Sequence, residues 1–137
     1  MLFRSHGVDD AELAEALSRR AEAVGRRLPV LVQVNVEHEP GKSGASPAAL
    51  AALIERVARL PGLAHDGLMS IGPPVETAEQ ARRHFGRVRA LRDATERETG
   101  VRLPELSMGM SGDFEVAVEE GSTMVRVGTA IFGARGA

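Results

Sequence analysis

Apolar runs and helical stripes alternate along the whole chain. From Leu28 to Val36 the sequence reads LPVLVQVNV, with Val30, Val32, Val34 and Val36 on one face and Leu31, Gln33 and Asn35 on the other. A β-branched run of this kind is the pattern of a strand buried in a parallel sheet. Upstream, Leu2 to Ser5 reads as a short strand or the end of one. Asp9 or Asp10 then caps a helix. Its apolar positions Leu13, Leu17, Ala21 and Val24 recur at helical spacing and predict the buried face, with Gly25 as the stop. Downstream, Ser46 caps a helix with Pro47 at its first position, and Leu50, Leu53, Ile54, Val57 and Leu60 form its stripe. Pro61-Gly62 ends that helix. Leu63 to Ser70 reads as a strand closed by Gly72-Pro73-Pro74. Thr77 and Gln80 have capping-box spacing, and the helix they open buries Ala78, Ala81, Phe85, Val88 and Leu91 before Gly100. Leu103 to Ser107 is a strand, Gly112 to Glu119 a short helix and Thr123 to Val127 the last strand. Gly128-Thr129 opens a terminal helical turn. This β-α alternation predicts right-handed βαβ units around a parallel sheet, an α/β fold in a single domain over residues 1–137.

Composition removes several functions. Aromatic residues are 3% of the chain, with no Trp and no Tyr, so platforms on which bases could stack are nearly absent. The net charge is -2 with acidic and basic residues interleaved, and no basic stripe points to nucleic acid or an anionic membrane as a partner. Without Cys there is no disulfide framework and no thiolate metal site. His6, His38, His65 and His84 have no metal-ligand spacing, so no metal is expected. No apolar run approaches the roughly 18 residues of a membrane span, and the N-terminus lacks a signal-peptide core. A soluble, cytoplasmic protein is the expectation.

The candidate chemistry sits near the C-terminus. Pro40-Gly41-Lys42-Ser43-Gly44 follows a strand, but Val36 stands where a phosphate-binding P-loop needs its first Gly, so the segment reads as a surface loop. At Met110-Ser111-Gly112 and again at Gly128-Thr129, a strand turns into a helix with a small residue and a hydroxyl at the turn. Such turns present free backbone N–H groups that suit an anion. In a parallel sheet the C-terminal strand ends share one face, so two adjacent turns can converge on one phosphate. Each hydroxyl can equally be a plain helix cap. Arg126 shares a strand face with Met124. A guanidinium on an apolar strand needs a partner, either a ligand or a structural ion pair with Glu105, Asp113 or Glu115. Met108, Met110 and Met124 read as core or pocket lining, and Glu115, Glu119 and Glu120 as a solvated helix face. No Ser/His/Asp arrangement is readable, and Gly109 and Gly112 give the wrong spacing around Ser111 for a hydrolase elbow.

Several segments carry a resemblance: Leu31-Val32-Gln33-Val34-Asn35, Lys42-Ser43-Gly44, Gly67-Leu68-Met69, Leu106-Ser107-Met108-Gly109-Met110-Ser111, and the run Glu120-Gly121-Ser122-Thr123-Met124-Val125-Arg126-Val127-Gly128-Thr129-Ala130-Ile131-Phe132-Gly133. Together, from about Val30 to Arg135, they resemble the pyridoxal phosphate homeostasis protein family, relatives of the alanine racemase N-terminal domain. Gly7-Val8-Asp9 and the helix after it also look like that family. The resemblance implies a (β/α)8 TIM-type barrel that holds pyridoxal 5′-phosphate at the C-terminal strand ends. It implies that Ser111, Gly128 and Thr129 contact the phosphate and that Arg126 approaches the pyridine nitrogen. It also implies a carrier or buffering role in amino-acid homeostasis without catalytic turnover.

A barrel of this type takes roughly 250 residues, about 200 at the low end. A chain of 137 residues is expected to be a partial barrel, roughly the last five β/α units, as a fragment or a short form completed by self-association. Its parallel edges are then open. By the resemblance, the lysine that holds the cofactor covalently lies in the absent first strands. Lys42 matches the family's Lys-Ser-Gly loop and does not take that role. The alternative is a racemase-like enzyme acting on amino acids, but the alanine racemase family depends on a Tyr and this chain has none.

Overall fold

The computed structural model describes residues 4–134. The elements run β1 (Ser5–Val8), α1 (Ala11–Ala23), β2 (Leu28–Gln33), α2 (Pro47–Ala58), β3 (Leu63–Met69), a 3-10 turn (Ala78–Ala81) that passes into α3 (Arg82–Thr99), β4 (Glu105–Met110), α4 (Phe114–Glu119), β5 (Met124–Arg126) and α5 (Thr129–Phe132). The five strands lie side by side in chain order, β1-β2-β3-β4-β5, and every neighbouring pair is parallel. Five parallel strands with helices between them are what the alternation predicts, and they form the partial TIM-type barrel that the resemblance implies.

The sheet is buried on both faces along β2. Val30, Val32 and Val34 join the core shared with Leu50, Ile54 and Val57 of α2. Leu31 and Gln33 point the other way and are also buried. Farther along, Leu68, Leu106 and Met108 pack with Phe85 and Val88 of α3. Helix starts follow the expected caps. The Asp10 carboxylate accepts from the Leu13 N–H at 2.8 Å, the Ser46 hydroxyl from the Ala49 N–H at 3.3 Å, and Thr77 with Gln80 forms the capping box. Gly100 ends α3 with φ +70°, the left-handed conformation glycine favours.

Four expectations need correction. The buried residues of α1 are Ala14, Ser18 and Ala21, whereas Leu13 is 38% and Val24 68% exposed and Leu17 is half-buried. The reason is close approach. The Ser18 hydroxyl accepts from the Gly62 N–H at 3.0 Å, and a Cβ on Gly62 would lie 2.3 Å from the Ser18 carbonyl oxygen. Only small side chains fit at that contact, so the stripe of large residues is not the stripe of burial. The first strand begins at Ser5, and Leu2 and Phe3 lie outside the described residues. β4 starts two residues later than expected because Pro104 has no N–H to give a ladder. The Leu103 N–H is instead taken by the Glu96 side chain. Finally, Glu119 and Glu120 are not merely solvated. Arg82 on α3 bonds Glu79 and Glu119, each at 2.6 Å, and Glu120 at 3.1 Å. Arg89 lies 3.4 Å from Glu120. These contacts hold α4 against α3, although exposed pairs of this kind are individually weak.

Gly67 lets β3 and β4 pair where its partner is Glu105. A Cβ there would sit 1.9 Å from the Glu105 carbonyl oxygen. Gly67→Ala is therefore expected to cost about 1–3 kcal/mol, read as a lower midpoint in urea unfolding. Leu13→Ala, at an exposed position, should change stability by no more than about 0.5 kcal/mol.

Candidate functional site

Parallel strands bring the ends of β4 and β5 to the same face of the sheet. The turn Ser111-Gly112-Asp113 leaves β4, and Val127-Gly128 leaves β5. The Ser111 hydroxyl accepts from the Gly128 N–H at 3.1 Å and from the Ala130 N–H at 3.2 Å. The two turns therefore converge. Neither hydroxyl caps its own helix: the N-cap positions of α4 and α5 are Asp113 and Gly128, and neither makes a side-chain cap bond. Thr129 is the first residue of α5 and is exposed. Added Cβ atoms on Gly112 and Gly128 would meet nothing within 4 Å, so an incoming group can reach the backbone at both.

Arg126 lies at the end of β5 on the same face. Its Nη1 donates to the Ser107 carbonyl at 2.9 Å and to the Ser107 hydroxyl at 2.8 Å, and its Nη2 donates to the Ser70 carbonyl at 2.9 Å. The guanidinium thus spans from β5 across β4 to the end of β3. No carboxylate pairs with it among the described residues; Glu105 instead accepts from the Thr123 hydroxyl. Burial pushes the Arg126 guanidinium below the usual arginine range, and the Asp113 carboxylate partly counters this. A guanidinium has five N–H donors. Three are used here, which leaves two for another acceptor among the described contacts.

The Ser107 hydroxyl also lies 3.3 Å from Nδ1 of His6, across the sheet on β1. A hydroxyl that accepts from Arg126 keeps its proton and a second lone pair, so the His6 tautomer sets which of the two donates. Burial first, then the charges of Arg126 and Arg4, hold His6 below the usual imidazole value. Arg4 is itself paired with Asp66 at 2.7 Å. Beside the turns lies a cavity of about 500 Å³ whose lining includes Ile71, Pro73, Thr77, Met110, Gly112 and Asp113. Lys42 stands at its rim with its ammonium 2.7 Å from Glu39. Met110 lines this space, whereas Met108 belongs to the core.

Ser111, Arg126, Gly128 and Thr129 thus occupy one strand-end region, with Ser111 bonded directly to Gly128. Sequence reasoning missed Ser70, Ser107 and His6. Ser107 carried a usable signal, since a guanidinium on β5 needs acceptors on the adjacent strand and Ser107 pairs with Met124 there. His6, 101 residues away from Ser107, carried none.

The family model for the alanine racemase N-terminal domain matches residues 4–136. The chain belongs to this family. It is 46% identical over 130 residues to the pyridoxal phosphate homeostasis protein of Aquifex aeolicus, covering 95% of this chain and 57% of that protein. It is 47% identical over 132 residues to the protein of the same name from Pseudomonas aeruginosa, covering 95% and 55%. The chain spans about half the length of these curated relatives. Among solved structures, PipY of Synechococcus elongatus PCC7942 with PLP bound superposes with a TM-score of 0.85 at 38% identity, over 95% of this chain and 60% of that one. An alanine racemase from Clostridium difficile 630, at 16% identity and a TM-score of 0.76, shares the fold. No helix among the described residues is long and apolar enough to cross a membrane.

Burial is the leading cause that lowers His6, His65 and His84 from the usual 6.5. A lowered histidine favours its neutral form in the folded chain, so the unfolded chain takes up more protons below that value. Stability should be flat above it and fall as pH drops through and below it. Urea midpoints at about pH 7.5 and 5.5 should differ in that direction; equal midpoints would contradict the assignment.

Proposed function

We propose that this chain binds pyridoxal 5′-phosphate at the ends of β4 and β5, as the C-terminal part of a cytoplasmic cofactor-carrying protein of the homeostasis type. The observation that supports this most is the acceptance of two N–H groups from the β5 turn by the Ser111 hydroxyl. A small oxygen acceptor already suits that point, and the open glycine backbones leave room for more. In this reading a phosphate oxygen takes over the Gly128 N–H that Ser111 accepts here, the Thr129 N–H and the Ser111 hydroxyl add to it, and Arg126 faces the ring nitrogen. PipY, with PLP bound, lends the cofactor its chemical identity.

When bound, the cofactor supplies an aldehyde and an electron-withdrawing ring. Arg126 is anchored by three hydrogen bonds and remains charged at neutral pH. A fixed positive charge opposes protonation of a neighbouring ring nitrogen. That keeps the ring a poor electron sink, which suits storage and transfer better than turnover. Lys42, bound to Glu39 at the cavity rim, is not assigned a covalent role, so binding is expected to be non-covalent and weak. Among the described residues β1 and β5 each have a strand neighbour on one side only, and the reading includes self-association through those edges.

Titration of the chain with pyridoxal 5′-phosphate, followed by absorbance, should show reversible binding. Arg126→Ala and Ser111→Ala should each weaken it roughly tenfold, about 1.4 kcal/mol. Borohydride treatment followed by intact-mass analysis should find no pyridoxyl adduct on Lys42. Unchanged affinity in both variants, or such an adduct, would overturn the reading.

A further inference from the structure

Outside the strand-end turns, the fold assembles a buried hydrogen-bonded chain. Ser70 is the first residue past β3, and its hydroxyl lies 3.0 Å from Nε2 of His84 on α3. Nδ1 of the same ring lies 3.4 Å from Oε1 of Glu37, in the loop after β2. Glu37 also accepts from Arg87 Nη1 at 2.6 Å. His84 is 4% exposed. A neutral ring with its proton on Nδ1 suits both partners: Nδ1–H donates to Glu37, and Nε2 accepts the Ser70 O–H, for which the Val34 carbonyl at 3.4 Å is the longer, competing acceptor. The order carboxylate, imidazole, hydroxyl is that of a hydrolytic triad. Ser70, however, is only 1% exposed and stands out of reach of a substrate arriving from solvent.

The backbone of Ser70 gives the chain another role. Its carbonyl accepts from Arg126 Nη2 at 2.9 Å. Its N–H donates to the carbonyl of Ser107 at 3.0 Å, and Ser107 is the other anchor of Arg126. The His84 ring also supports Gly72, where a Cβ would come 3.2 Å from His84 Cδ2. One imidazole thus fixes the Ser70 side chain and the path of the loop leaving β3, which lines the cavity beside the turns. Networks of this kind couple their members more strongly than isolated pairs.

We propose that His84 is a positioning residue for Arg126: it holds Ser70 and Gly72 so that the Ser70 carbonyl anchors the guanidinium, and through Glu37 it ties that anchor to the loop after β2. His84 touches no ligand in this arrangement. Only the ligand arm of the test rests on the pyridoxal phosphate reading.

The first arm needs no ligand. In the NMR spectrum of the free chain, the hydrogen-bonded Nη–H protons of Arg126 should give a distinct, slowly exchanging signal. His84→Ala should broaden that signal away. His84→Gln should keep it, because its amide accepts from Ser70 and donates to Glu37. Glu37→Ala, at a half-buried loop position, should weaken it without opening the core, and thermal melts run alongside show that each variant is folded. If His84→Ala does not fold, the Gln and Glu37 variants carry the comparison. In the second arm, His84→Ala should lower pyridoxal 5′-phosphate affinity about tenfold in the native background and less than about twofold in Arg126→Ala, the non-additivity expected of coupled residues. An Arg126 signal unchanged in His84→Ala, equal losses in both backgrounds, or a Gln variant that behaves like Ala would each overturn the inference. If the native chain takes up no pyridoxal 5′-phosphate, the functional reading fails while the Arg126 signal still decides the positioning role.

Discussion

A positive charge half-buried at the mouth of a parallel sheet, with no carboxylate paired to it among the described residues, is the constraint around which this molecule is organised. Removing such a group from water is costly unless its donors are met. Arg126 meets the requirement with oxygens from two neighbouring strand ends, the carbonyl and hydroxyl of Ser107 and the carbonyl of Ser70. Each acceptor has its own dependants. The Ser107 hydroxyl bonds Nδ1 of His6 on β1, and the Ser70 hydroxyl bonds Nε2 of His84 on α3. One guanidinium therefore relates the first strand, the third helix and the last strand. Because backbone carbonyls only partly offset its charge, it retains attraction for an anionic or electron-rich group placed beside it.

The turns beside Arg126 show how little chemistry a parallel sheet needs to add in order to make a receptive surface. Parallel pairing already gathers the C-terminal strand ends. Glycine at Gly112 and Gly128 keeps the backbone bare. Ser111 then joins two turns that are separate in sequence but adjacent in space. Family membership says that the fold recurs in other chains, while the local contacts say why these turns hold together in this one.

Much of this was legible in the sequence, for identifiable reasons. The valine run of β2, the Ser46-Pro47 start and the Thr77-Gln80 box are local signals, and local signals survive folding. Ser111, Gly128 and Arg126 could be found because strand alternation and strand-end turns are local as well. What failed was non-local. The face that α1 buries is set by the approach of Gly62 to Ser18, which no periodicity within α1 reports. Glu119 and Glu120 looked solvated because Arg82 lies 37 and 38 residues away. The link from Glu37 through His84 to Ser70 joins a loop, a helix and a strand end, and it was invisible because each member alone is an ordinary residue.

Strand order in this sheet follows chain order without exception, so each β/α unit can dock on the one made before it. The ties across the concave face differ in kind: His6 to Ser107 closes 101 residues, and Arg4 approaches Met124 over 120. They can form only once the whole run of units stands in place. In the proposed reading, ligand capture at this mouth is thereby coupled to the final act of folding, and occupancy there would register whether the five strands have reached their native arrangement.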